Sequence, residues 1–89
     1  MDEIMSAICT REQVSQWFDI GISAHSTHLI VVWLKHPGEY RPLFVGENNN
    51  PKEVLKIYEQ YHGATAEEVY DLNKPKWEQL DQLGRCYNY

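Results

Sequence analysis

The stretch STHLIVVWLKHPGEYRPLFV, Ser26 to Val45, decides how the rest of the chain is read. From Leu29 to Leu34 it is apolar without interruption. In a strand, successive side chains alternate, so His28, Ile30, Val32 and Leu34 share one face and Leu29, Val31 and Trp33 the other. A strand apolar on both faces belongs in the middle of a sheet covered on both sides. His36-Pro37-Gly38-Glu39 then suits a type II turn, with proline fixing φ at its second position and glycine taking positive φ at its third. Tyr40 to Val45 returns as a second strand. Pro42 inside it has no N–H for a ladder, which places that strand at the sheet's edge.

Upstream, Thr10-Arg11-Glu12-Gln13 has the form of a capping box, with Cys9 and Val14 positioned as a hydrophobic staple. Val14, Trp17, Phe18 and Ile22 follow at helical spacing, and Gly21 is expected to end that helix. Ile4, Met5 and Ile8 suggest one further helical turn. Downstream, Asn50, Pro51 and Glu53 mark a helix start: a cap, a proline in the first turn and an early acid. Val54, Leu55, Tyr58 and Tyr61 form its apolar stripe and Gly63 its end. Ala66 to Asn73 is open to two readings. Thr65 and Glu68 could cap a helix, but Val69, Tyr70 and Leu72 fit a third strand, which is preferred because two strands make a poor sheet. Trp77, Leu80 and Leu83 form a last stripe closed by Gly84.

The order is therefore helix-strand-strand-helix-strand-helix. If the helix after the second strand returns the chain, the third strand pairs antiparallel with the free side of the first. The expected fold is an α/β (α+β) two-layer sandwich, a single domain over residues 1–89, with a three-stranded antiparallel sheet in the order 2-1-3.

Composition narrows function. A chain of 89 residues with 43% hydrophobic residues and three tryptophans supports a small folded core. No apolar run reaches the ~18 residues of a membrane span. Met1-Asp2-Glu3 is acidic where a secretion or transit signal is basic, so a cytoplasmic location is expected, with Cys9 and Cys86 as free thiols. Net charge is −5, and the eight basic residues are scattered, so direct nucleic-acid binding is not expected. The adjacent acids Asp2-Glu3 and Glu67-Glu68 give weak support to mimicry of DNA.

The segments REQVSQWFDIGISAHSTHLIVV, EYRPLFV and VYDLN together resemble a widespread group of small proteins of phage and bacterial genomes. That group carries a helix, a Thr-His-x-Ile-Val-Val strand, an acidic-aromatic turn before a Tyr-Pro strand, and a Val-Tyr-Asp-Leu segment. The resemblance covers Arg11 to about Leu83 and brings no activity or ligand with it. It implies an accessory, phage-borne gene and a strand over Glu67 to Leu72. Trp33-Leu34-Lys35-His36 departs from the group, which has Cys and Asp residues there, so a function depending on those acids would be missing.

The chain has no Gly-rich phosphate loop, no Gly-x-Ser-x-Gly elbow and no His-Glu-x-x-His. His25 and His28 could join Cys9 and Cys86 around a metal, but their rings need not converge across a strand start, so no metal and no cofactor is expected. The first reading is a non-enzymatic protein that inhibits or adapts a larger protein partner, such as a phage product acting on a host defence system like CRISPR. Its expected contact residues are His36, Glu39, Tyr40 and Arg41 on the hairpin and Glu67 and Glu68 on the opposite edge. Six tyrosines supply the aromatic groups that interfaces favour. The alternative is a small-molecule site or minimal enzyme built on His28, Tyr70 and Asp71, with Asp71 and His28 as an acid–base couple. In the bland reading His28 is a half-buried histidine bonded to backbone and Tyr70-Asp71 part of a polar surface strand.

Overall fold

A computed structural model describes residues 10–36, 38–82 and 85–89. The expected staple partner Cys9, the turn residue Pro37, the Ile4-Met5-Ile8 turn and the Leu83-Gly84 helix end lie outside them. The element order is α1 (Arg11–Ser23), β1 (Ser26–Leu34), β2 (Glu39–Gly46), α2 (Pro51–His62), β3 (Ala64–Asp71) and α3 (Lys76–Leu80). The sheet is antiparallel throughout, in the order β2-β1-β3. Topology and class are those the sequence predicts, and Ala64–Asp71 is a strand.

β1 is buried on both faces because helices cover both. Leu29 and Val31 join Val14 and Phe18 of α1 and Leu80 of α3. Ile30, Val32 and Leu34 join Leu55 of α2. The sheet is thus the middle of three layers rather than one of two. Each fully buried aliphatic or aromatic side chain contributes roughly 1.5–3 kcal/mol of transfer free energy, so the nine-residue β1 is the main source of cohesion.

The helix ends follow their local chemistry. Thr10 accepts from the Gln13 N–H at 3.1 Å, and Asn50 Oδ1 accepts from the N–H groups of Lys52 and Glu53 at 2.9 and 3.4 Å. Gly63 closes α2 in the left-handed conformation, φ 61°. Gly21 does not end α1. It is buried inside the helix, where a Cβ would sit 2.7 Å from Leu72 Cδ1, so glycine there permits close approach of helix to sheet. α1 stops two residues after Gly21, at Ser23, and His25 takes the positive φ, 60°, that glycine usually supplies at such an end. Three stripe residues also lie further out than expected: Ile22 is 49% exposed, Tyr61 74% and Trp77 52%.

Two bulges adjust the strands. The β1–β2 register slips between Ser26 and His28, and the β1–β3 register slips between Val31 and Val32. The second inserts Glu67 as an extra residue in β3. Ala66 then packs on the α2 side with Val69, while Glu68 and Tyr70 stand opposite Val31 and Leu29 on the other.

Candidate functional site

Three regions hold the residues singled out from the sequence. The first is β2, an outer strand with β1 on one side and, among the described residues, no strand on the other. Pro42 stands opposite Val31 in this edge strand, as its missing N–H requires. Glu39 and Arg41 share a face and pair through Arg41 Nε and Glu39 Oε2 at 3.0 Å. That hydrogen bond, with the carboxylate charge behind it, raises the Arg41 pKa further above its ordinary value. Tyr40 points to the opposite face and is half-buried against Trp33, with ring centroids 4.8 Å apart. His36 is exposed in the turn. The hairpin candidates are therefore split between two faces, and Tyr40 is partly core.

The second region is the outer edge of β3. Residues 85–89 run beside it as a short parallel strap, bridged at Val69 and Tyr87. The Val69 N–H donates to the Cys86 carbonyl at 2.7 Å and the Asn88 N–H to the Val69 carbonyl at 2.9 Å. Arg85 pairs with the Glu67 carboxylate. Glu68 is half-buried and lines an open cleft of about 220 Å³ with Arg11, Val14 and Tyr70. Beneath the strap lies Gln79, 5% exposed, whose Oε1 accepts from the Asp71 N–H at 2.8 Å and from Asn88 Nδ2 at 2.9 Å. Its Nε2 donates to the Asp71 carbonyl at 2.8 Å. Neither Arg85 nor Gln79 is conspicuous in sequence; the only hint is a glutamine on the same short helix as Leu80. Cys86 is fully buried, and burial, then the nearby Glu68 charge, push its thiol pKa up.

The third region is an open cleft of about 360 Å³ lined by His28, Asn50, Pro51, Lys52 and Tyr89. Thr27 Oγ1 donates to the Val45 carbonyl at 3.3 Å and lies 2.9 Å from His28 Nδ1. Which of Thr27 Oγ1 and His28 Nδ1 donates to the other follows the tautomer of the ring. Nε2 is buried and without a partner among the described residues. His28 is thus half-buried as expected, but bonded to a side chain rather than to backbone. Lys52 lies over the Tyr89 ring at 5.3 Å. The α2 N-terminus adds no free donors here, because Asn50 occupies the Lys52 and Glu53 N–H groups and Pro51 has none.

His28, Tyr70 and Asp71 do not form one site. Asp71 stands opposite His28 in the register, but its Oδ1 accepts from the Asn73 N–H at 2.8 Å. Tyr70 is on the other face, 2% exposed, edge-on to Phe18 at 6.4 Å, and so is core rather than part of a polar surface. Among the described residues no three His, Cys, Asp or Glu side chains are grouped to hold a metal ion, and no helix is long and apolar enough to cross a membrane. Compared with protein-family models, curated proteins and solved structures, the chain finds no match.

Proposed function

We propose that this chain is a non-enzymatic protein-binding module, an inhibitor or adaptor of a larger protein, that docks through the β2 side of its sheet. The observation that carries the reading is the flank of β2. Among the described residues the strand has one free side and is half-exposed over most of its length; its Val45 shares a core cluster with Leu55 of α2, and α2 leaves Ile57 58% and Tyr61 74% exposed, one turn apart. Large exposed apolar and aromatic groups make an anchor, and the Glu39–Arg41 pair supplies a polar rim. Pro42 removes one backbone donor from that edge, so side-chain contact outweighs strand pairing there. A net charge of −5 suits a partner with a basic surface. Host defence enzymes that handle nucleic acid have such surfaces, which keeps a phage-borne, CRISPR-directed inhibitor within this reading.

The test is capture from host lysate, followed by titration of the captured protein with variants. Ile57→Glu with Tyr61→Glu weakens binding at least tenfold, ~1.4 kcal/mol, and leaves Tm within about 2 °C, because both side chains are exposed. Arg41→Glu adds a smaller loss. Undiminished binding by this variant, with loss on Glu67→Lys and Glu68→Lys, moves the docking surface to the acidic edge. A second reading rests on the orphaned Nε2 of His28: a small ligand in the cleft beside Lys52. A nucleotide and metabolite panel raising Tm in the native protein but not in Lys52→Ala favours that reading instead.

A further inference from the structure

The outer edge of β3 already carries an occupant, and the occupant describes what fits there. The strap lies parallel to β3 and is held by two backbone hydrogen bonds around a single bridge. Its basic residue, Arg85, sits on the acid Glu67 and also reaches the Glu67 carbonyl at 3.4 Å. Its small residue, Cys86, fills the core beside Leu80, and Asn88 bonds the buried Gln79. Glu68, next in sequence to Glu67, has no ion pair among the described residues. An edge held by one bridge opens more easily than a full ladder, because free energies of local opening scale with the hydrogen bonds and apolar area lost.

We propose that residues 85–89 are a displaceable guard, and that the uncovered edge of β3 accepts an extended segment of a protein partner laid parallel to the strand, with a basic side chain over Glu67 and Glu68. This is strand addition, in which main-chain hydrogen bonds give affinity and the alternate side chains give specificity. The strap is its intramolecular competitor, so the edge is available only in the fraction of molecules that have opened. The acid excess of the chain favours the same basic partner. The proposal concerns a different edge from the β2 flank and stands whether or not β2 docks a partner.

Two measurements on the full chain test it. In the native protein, labelling of the Cys86 thiol and exchange of the Val69 amide report the same opening, and both run at least about 100-fold faster than exchange of the Val31 and Val32 amides. If both groups react only at the rate of those β1 amides, the strap leaves the edge only in global unfolding and the proposal fails. The second probe is a five-residue synthetic peptide with the strap's own sequence, its cysteine replaced by serine. In NMR titrations it shifts the β3 amides from Glu67 to Val69, needs at least tenfold less peptide in Asn88→Ala, and binds more weakly in Glu67→Gln. Shifts elsewhere, or none, overturn the edge assignment, and the native-protein measurements decide the matter if Asn88→Ala does not fold.

Discussion

A single buried amide joins three parts of this chain. Gln79 of α3 bonds the backbone of Asp71 at both its N–H and its C=O, and its Oε1 also takes the Asn88 amide. Buried amides are stable only when satisfied, and removing one orphans its partners at about 1–3 kcal/mol each. Gln79→Leu, nearly isosteric, should therefore lower unfolding free energy by roughly 2–4 kcal/mol in urea titrations. A loss well below 1 kcal/mol would mean that water replaces the amide. None of this is legible from a lone glutamine between Trp77 and Leu80, since its worth depends on a turn and a strap meeting it in space. Gly21 misleads for a related reason. Glycine marks helix ends when only φ is considered, but here the demand is for close approach to Leu72 and Phe44, which only the fold creates.

Elements were legible where one face of the pattern sufficed. β1 reads from sequence alone because it is apolar on both faces, and Val31 and Val32 are 2% and 0% exposed toward opposite helical layers. Val31→Asp and Val32→Asp each put an unpaired carboxylate into one of those layers. Either should remove several kcal/mol from a total of about 5–15 kcal/mol, so that thermal unfolding loses its cooperative transition near room temperature. A cooperative melt from either variant would show that one face of β1 is open. β3 was harder to read, for a definite reason. The bulge at Glu67 breaks the two-residue alternation, so Ala64, Ala66 and Val69 share a face at spacings of two and then three, which imitates a helix. The candidate site was legible only in part: the edge position of β2 follows from Pro42, but the division of Tyr40 and Arg41 between two faces, and the burial of Tyr70, needed the register.

At the scale of the whole molecule the charges do little for stability near neutral pH. The four described ion pairs, from Arg11–Asp81 to Arg85–Glu67, each have at least one side chain more than half exposed, where such pairs contribute about 0–1 kcal/mol. The alkaline limb is different. The Cys86 thiol is raised first by burial and then by Glu68, and the Tyr89 hydroxyl first by burial and then by Glu59. A group whose folded pKa lies above its unfolded value stays protonated in the fold while the unfolded chain releases the proton. Its contribution is complete below the unfolded pKa, about 8.5 for a thiol and 10 for a phenol, and is lost as pH rises toward the folded value. On this account unfolding free energy falls above about pH 8.5–9, by no more than about 1.4 kcal/mol per pH unit for the buried thiol and by less for Tyr89, which is 43% exposed and screened by solvent. Cys86→Ala removes the thiol's share, so its stability starts lower, because a core atom is gone, yet declines less steeply between about pH 9 and 10. Denaturant titrations across that range measure both slopes, and parallel decline in the native chain and in Cys86→Ala would show that the buried thiol is not what weakens the fold in alkali.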